Sequence, residues 1–245
     1  MDFRFSLEGK FLSIQRSISD FELSEILLIV LNPVMASALS LQKIPILHGS
    51  ALVIDDRAVI FAGKSGVGKS TLSAVLAQEG MALLSDDLIA LNICETGVEV
   101  QPGYPRLKVS LETADFLGKS PQDLIPIARW APNERWLDSN VFPKGFCSTK
   151  TTLSTIYILE GIRKDISAPE IAELPVLSAC YELSKYRYGK KWLEIENHAV
   201  LQICASIASH VVIKRVWLPD GLEKLKITAK AIILDVQNIA KKQAQ

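Results

Sequence analysis

Apolar and β-branched residues follow a strand-like pattern on both sides of the acidic pair Asp55-Asp56. The runs "ILHGSALVI" and "RAVIFAG" predict two strands, and the aspartates between them predict the turn of a β-hairpin. The next segment, "KSTLSAVLAQEG", has apolar residues at helical spacing and Gly80 as a stop signal, which predicts a helix. After it we expect a short apolar strand, "MALLSDDLIALN", interrupted by two aspartates.

The rest of the chain alternates between helix-like and strand-like patterns. Near the N-terminus, "FELSEILLIVLNPVMASALSL" predicts two buried helices joined at the Asn32-Pro33 step, with the proline opening the second. Later, "LSTIYILEGI" and "VVIKRVWL" predict strands, whereas "LPVLSACYELSKY", "EIENHAVLQICASIASH" and "LEKLKITAKAIILDV" predict helices. Six of the 11 prolines lie between residues 101 and 145, so that region should be largely loop and short helix. This alternation is typical of an α/β fold with a largely covered sheet.

Length and composition favour one large domain. The chain has 245 residues, of which 49% are hydrophobic and 22% charged, and it contains no repeat, low-complexity segment or Gly/Ser linker. We therefore divide a single domain into a helical lead-in (1–43), a core (44–92), a Pro-rich loop region (93–150) and a C-terminal α/β part (151–245).

Charge balance and cysteine content bear on the partners of the protein and on its cellular compartment. The 27 basic residues balance 27 acidic ones, so nothing global attracts nucleic acid or an anionic membrane. The four cysteines match no metal-binding or redox spacing and suit reduced thiols. The start, "MDFRFSLEGK", lacks a signal-peptide pattern, and the longest unbroken apolar run, 26–31, is far shorter than the roughly 20 residues that a bilayer requires. We expect a cytoplasmic protein with neither nucleic acid nor membrane as partner.

A phosphate-binding motif connects the hairpin to the helix. Residues 63–70, "GKSGVGKS", fit GxxxxGK[ST] and lie between a predicted strand and a predicted helix. Glycines allow several backbone N–H groups to converge on a phosphate chain, and the helix N-terminus adds unpaired N–H groups. The residues expected to bind ATP are Gly63, Lys64, Ser65, Gly66, Val67, Gly68, Lys69, Ser70 and Thr71. Among them, Lys69 should reach the β- and γ-phosphates, and the Ser70 hydroxyl should be a Mg²⁺ ligand.

Asp86 and Asp87 are the candidate carboxylates of this site. If their strand runs parallel to the strand before the loop, with the helix as crossover, both lie beside the loop. Because successive strand residues point to opposite faces, we expect two different tasks, which are holding Mg²⁺ and accepting a proton from an attacking hydroxyl. A solvated turn is the alternative. His48, in "LHGS", is either a site residue or a structural histidine, and the pattern leaves both open.

The ordered set "LHGSALVI", "GKSGVGKST" and "LLSDDLIAL" resembles the catalytic domain of HPr kinase/phosphorylase, and especially its short, diverged relatives. The likeness covers residues 44–92. It implies the P-loop fold shared with phosphoenolpyruvate carboxykinase, with a mixed central sheet flanked by helices, and phosphate transfer from ATP to a serine or threonine hydroxyl. By position it also implies that His48 lies near the transferring phosphate, that Asp86 is the general base and that Asp87 helps to place Mg²⁺, with Lys69 as the third catalytic residue.

Departures from the family pattern bear on the substrate. The roughly 45 residues before His48 cannot make the family's regulatory domain, and "PGYPRLKVS" replaces a glycine-rich segment tied to the reverse reaction, so phosphorylase activity is not expected. Short relatives phosphorylate ribosomally made peptides, which makes a precursor peptide a candidate acceptor beside other serine-containing peptides, small proteins and small metabolites. Family likeness also implies a homo-oligomer.

The Pro-rich region supplies further candidate contacts. Its basic residues could stabilise a transferring phosphate, although a solvated surface role is favoured for each of them: Arg106, Lys108, Arg129, Arg135, Lys144 and Lys150. Trp130 and Trp136 could stack on adenine or line an acceptor groove, or be ordinary buried aromatics. Two other functions remain as alternatives to the kinase. They are a P-loop ATPase or nucleotide-dependent switch, and a non-catalytic nucleotide-binding subunit.

Overall fold

A mixed β-sheet forms the centre of the protein in the computed structural model, which describes residues 2–6, 8–15, 22–188 and 197–243. In spatial order its strands are β11 (Glu170–Glu173), β12 (Val212–Pro219), β10 (Thr151–Arg163), β4 (Arg57–Gly63), β3 (Ile46–Ile54), β5 (Ala82–Cys94) and β6 (Gly97–Val100). Strands β4, β10 and β12 are parallel, and the other neighbouring pairs are antiparallel. The predicted mixed sheet is confirmed.

Helices cover both faces of this sheet. One face packs against α3 (Lys69–Gln78) and α7 (Leu225–Gln243), and the other against α5 (Val176–Lys185) and α6 (Asn197–His210). Side chains of β4 alternate between the two cores, since Val59 and Phe61 join the first and Ile60 joins the second. A central strand buried on both faces explains why "AVIFA" is apolar without interruption.

The hairpin and the helix after it form as predicted. Strands β3 and β4 are antiparallel, with Ile54 paired to Arg57 across the turn. Asp55 and Asp56 both have positive φ, 48° and 59°, which is the backbone of a two-residue type I′ turn. Helix α3 ends just before Gly80, whose φ is 92°.

Strand β5 is longer than expected. It spans 13 residues and continues through both aspartates. Ladder pairing with β3 is kept at Ser50–Asp86 and Gly49–Asp87, although Asp87 has a left-handed backbone with φ of 69°. Strand β3 lies between β4 and β5 and is antiparallel to both, so β5 runs in the same direction as β4 without being its neighbour.

The Pro-rich region contains a second, three-stranded sheet. Its strands, in spatial order, are β7 (Arg106–Ser110), β9 (Glu134–Asp138) and β8 (Ile125–Pro126), and α4 (Leu111–Phe116) follows β7. Most of residues 101–145 are loop and short helix, as expected, but the pairing of these strands into a sheet was not foreseen. Prolines are compatible with this sheet because Pro105 precedes β7 and Pro126 lies in the short edge strand. Leu107 and Leu137 anchor the sheet in the core beside α3.

The N-terminal part consists of a hairpin, β1 (Asp2–Phe5) and β2 (Leu12–Gln15), and one helical segment. Helices α1 (Leu23–Ile29) and α2 (Met35–Leu41) are joined by a π-helical turn that contains Pro33, so the predicted break into two helices was wrong. The wider π turn accommodates the proline within the helix. By length and composition this helix could cross a membrane, with a mean hydropathy of 1.7, and only 28% of its most apolar window is buried.

An ion pair fixes the start of this helix to the Pro-rich region. Glu25 is buried, and its carboxylate accepts hydrogen bonds from Arg129 Nε at 2.9 Å, Nη2 at 3.0 Å and the backbone N–H at 3.0 Å. These hydrogen bonds lower the pKa of Glu25 to about 2.

Replacing Glu25 with glutamine should lower the melting temperature at neutral pH, and the loss should shrink in acid. The folded carboxyl keeps its charge below the ordinary pKa of 4.5, whereas the unfolded one takes up a proton, so its contribution is full above that value and is lost as the pH falls towards about 2. Thermal unfolding of both proteins between about pH 7 and about pH 3 checks this. A difference that does not vary with pH would contradict it.

Replacing Tyr157 with phenylalanine should lower the free energy of unfolding by about 1–2 kcal/mol. The Tyr157 ring is fully buried, and its hydroxyl donates to Asp235 Oδ2 at 2.7 Å, a carboxylate that also accepts from Lys214. Urea unfolding measures the loss. Tyr181→Phe is the matched control, since that side chain is 63% exposed, and an equal loss in both variants would contradict the assignment.

Candidate active site

The loop between β4 and α3 has the backbone of a phosphate-binding nest. Gly66 and Gly68 have φ of 80° and 102°, which glycine adopts without strain. Gly63 lies against β10 so closely that a Cβ there would be 2.8 Å from the carbonyl oxygen of Leu159. The loop is therefore fixed to the sheet, and it leads into the N-terminus of α3, where unpaired N–H groups attract anions.

Lys69 places a positive charge inside the loop. Its side chain is buried, and Nζ donates to the carbonyl oxygens of Gly63 and Lys64 at 3.0 Å each. Burial lowers the pKa of Lys69, while the negative charges of Asp87 and Asp86 oppose that shift. The ammonium group is thus held by loop carbonyls and interacts electrostatically with both carboxylates.

Asp86 is buried behind the loop and links several elements. Its carboxylate accepts hydrogen bonds from the Ser50 hydroxyl, from Ser70 Oγ at 3.3 Å and from the backbone N–H of Lys108 at 2.9 Å. Burial, followed by the charge of Asp87, raises the pKa of Asp86 to about 6. A carboxyl group with a pKa close to neutral can take up or release a proton under physiological conditions.

Asp87 reaches the open cleft beside its neighbour. Its side chain is 13% exposed, its Oδ2 lies 2.9 Å from Lys108 Nζ, and its Oδ1 lies 3.8 Å from His48 Nδ1. Strict strand alternation would send two successive side chains to opposite faces, but the positive φ of Asp87 interrupts the alternation, and both carboxylates contact Lys108. Such backbone strain in a non-glycine residue is concentrated at functional sites.

His48 borders the same cleft. Burial, and then the positive charge of Lys69, lower the pKa of His48, so the imidazole is mostly neutral at physiological pH. Its ring centroid lies 5.8 Å from that of Tyr188. A neutral imidazole next to Asp87 can accept or donate a hydrogen bond to a ligand in the cleft.

The cleft has a volume of about 440 Å³. The structure brings most of the sequence-predicted residues to its walls, namely His48, Ser65, Gly66, Val67, Gly68, Lys69, Ser70, Thr71 and Asp87. Gly63 and Lys64 support the Lys69 side chain, and Asp86 lies behind Ser70.

Lys108 and Ser50 make contacts in the candidate site that the sequence pattern did not predict. Lys108 was expected at the solvated surface, yet it lines the cleft and contacts both aspartates. Ser50 was not singled out, although it lies two residues after His48 on the same strand, and this period-two spacing could have identified it.

Three of the remaining cations of the Pro-rich region make contacts outside the cleft. Arg129 pairs with Glu25, Lys150 pairs with Glu99, and Arg135 donates to the backbone carbonyls of Pro121, Pro132 and Glu134. Trp136 is buried beside Tyr104, and neither it nor Trp130 lines the cleft. We assign these residues to the structure of the region.

Oxygen ligands suited to Mg²⁺ meet at the edge of the loop. Mg²⁺ prefers hard oxygen donors and is usually held by one or two carboxylates together with substrate phosphates. The Ser70 hydroxyl and the carboxylate of Asp86 are in hydrogen-bond contact, and Asp87 is the next residue along β5. These residues fit a magnesium ion that binds together with a polyphosphate.

Comparisons with known proteins find matches among solved structures. No protein-family model and no curated protein sequence matches the chain. The HPr(Ser) kinase/phosphatase from Coxiella burnetii matches with a TM-score of 0.43 and 16% sequence identity, over 82% of this chain and 99% of that chain.

Proposed function

We propose that the protein is an ATP-dependent, HPr kinase-like enzyme that transfers the γ-phosphate to a serine or threonine hydroxyl of a peptide or small protein. The observation that carries this proposal is the junction of the loop with the acidic pair. Asp86 accepts a hydrogen bond from Ser70 of the loop, and Asp87 lies in the same cleft as Lys69, His48 and Lys108. A phosphate-binding nest beside a carboxylate that can take up a proton is the arrangement that phosphoryl transfer to an alcohol needs.

Each residue has a defined task in this reaction. Loop amides and Lys69 hold the β- and γ-phosphates and stabilise the charge that develops on them. Ser70 and one aspartate would hold Mg²⁺, which would supply positive charge to neutralise the phosphates. The acceptor oxygen bonds to the γ-phosphorus as the bond to the β–γ bridging oxygen breaks, ADP departs, and the hydroxyl proton passes to the other aspartate. His48 and Lys108 border the path of the transferred group.

The two aspartates can divide these tasks in two ways. The assignment implied by family likeness makes Asp86 the proton acceptor and Asp87 the residue on the Mg²⁺ side. The hydrogen bond between Ser70 and Asp86 supports the reverse division, because a metal-binding carboxylate should lie beside the serine ligand. Different phenotypes are expected for the two divisions, so mutagenesis separates them.

The proposal extends to partners and location. A ribosomally made precursor peptide is the candidate acceptor, and the enzyme is a cytoplasmic homo-oligomer without phosphorylase activity. Its four cysteines are free thiols, as such a location requires. A P-loop ATPase or switch remains the competing function, and it would use the same loop and Mg²⁺ site without an acceptor.

Replacing Lys69 with alanine should reduce phosphorylation of an acceptor by about a hundredfold or more, because a buried cation in contact with the transferring phosphate is lost. The assay incubates the protein with ATP, Mg²⁺ and serine-containing peptides, including those encoded by neighbouring genes, and follows the gain of one phosphate by intact mass. Lys144→Ala, at an exposed lysine outside the cleft, is the matched control and should retain activity. Steady phosphate release from ATP without any acceptor would instead support the ATPase.

Separate asparagine substitutions of Asp86 and Asp87 should give different kinetic defects. Loss of the proton acceptor lowers kcat by about 10²–10⁴-fold with the Mg²⁺ requirement unchanged. Loss of the metal-side carboxylate raises the Mg²⁺ concentration needed for half-maximal activity. Titrating Mg²⁺ against both variants assigns the roles, and normal kinetics in both would refute the proposed site.

A further inference from the structure

The cleft continues past the phosphate-binding loop to a wall that the reaction above does not use. Ile162 near the end of β10, Leu218 and Pro219 at the end of β12, and Leu222 shortly after it form this wall. Strands β10 and β12 are parallel to β4, so their carboxyl ends open at the same edge of the sheet as the loop. In parallel sheets ligands bind at this edge.

The wall is apolar and continuous with the loop. Ile162 is 56% exposed and pairs across the strands with Leu218, which is 2% exposed. Leu218 lies next to the loop, since a Cβ added at Gly68 would be 3.7 Å from its Cδ1. Leu222 packs against the core below. Ile162 is thus an exposed isoleucine inside the cleft, next to a buried leucine, and it offers apolar surface to a flat ligand group.

The charges of the cleft fix the direction in which a nucleotide would lie. The basic side chains that line the cleft are His48, Lys69 and Lys108. All three lie close enough to Asp87 to interact electrostatically with its carboxylate. At the wall the charged lining residue is Asp220, whose carboxylate repels phosphate. A polyphosphate therefore lies at the lysine end, and a neutral ring lies at the wall.

We propose that Ile162, Leu218 and Leu222, with the strand end at residues 219–221, form a subsite for the purine base of a nucleoside triphosphate. The proposal rests on the proposed function, since it takes the polyphosphate to bind at the loop. The base packs on the exposed face of Ile162, and the cleft of about 440 Å³ lies within the size range of small-molecule sites. Asp220 accepts hydrogen bonds from donors of the nucleoside.

Binding of ATP and of inorganic tripolyphosphate, each with Mg²⁺, separates the subsite from the loop. Calorimetry should show that Ile162→Ala weakens ATP binding about tenfold while leaving the affinity for tripolyphosphate unchanged. Ile162→Asp should weaken ATP binding further, because it adds a negative charge where the base packs. Ile227→Ala is the matched control, at an isoleucine of α7 that is 50% exposed and does not line the cleft.

Each outcome decides between the two proposals. Equal losses for ATP and tripolyphosphate in the Ile162 variants, or no loss for ATP, would overturn the base subsite and leave the phosphate site in place. Equal affinity of the wild-type protein for tripolyphosphate and for ATP would also overturn the base subsite and leave the phosphate site in place. Failure of the wild-type protein to bind either compound would overturn the proposed function together with the subsite. Because Ile162 is exposed, its variants should fold, and circular dichroism checks this.

Discussion

The buried carboxylate of Asp86 is the constraint on which the candidate site depends. Burying a carboxylate without compensation costs several kcal/mol, so every nearby donor has to be in place for the fold to be stable. Here the donors come from β3 through Ser50, from α3 through Ser70 and from β7 through the amide of Lys108. One side chain thus couples the hairpin, the helix after the loop and the second sheet. Movement of any of these elements away from β5 would leave this carboxylate with an unmet hydrogen bond.

The sequence was sufficient for the part of the fold that is set by local interactions. The hairpin, the loop and α3 follow from turn chemistry and periodicity within about 35 residues, and these signals depend little on the rest of the chain. The structure brings His48, Lys69 and the acidic pair together because β3 pairs with both β4 and β5, and the sequence pattern did not predict the pairing of β3 with β5. A strand that pairs with two neighbours brings its own residues beside those of both.

What the sequence could not provide depends on pairing between distant segments. Strand β7 pairs with β9 across more than 20 residues rich in proline, and no local pattern indicates that partner. The position of Lys108 follows from this pairing, so its contacts with the aspartates were not foreseen. In the N-terminal helix, Pro33 gave a clear break signal, but a π turn accommodated it while Glu25 was fixed by Arg129. Both cases are tertiary interactions that override a local preference.

Charge balance explains why Lys108 belongs to the chemistry of the cleft as well as to its structure. Two adjacent carboxylates beside a phosphate-binding loop repel a polyphosphate unless cations offset them. Lys69 is held in the loop by two carbonyls, and Lys108 forms an ion pair with Asp87. In the proposed reaction, a polyphosphate and its metal would give Asp87 a second cationic neighbour, and the Lys108 ammonium would then be able to interact with phosphate oxygens. Lys108 would therefore be able to exchange its contact with Asp87 for one with a bound phosphate. The buried hydrogen bonds of Asp86, in contrast, are required by the fold.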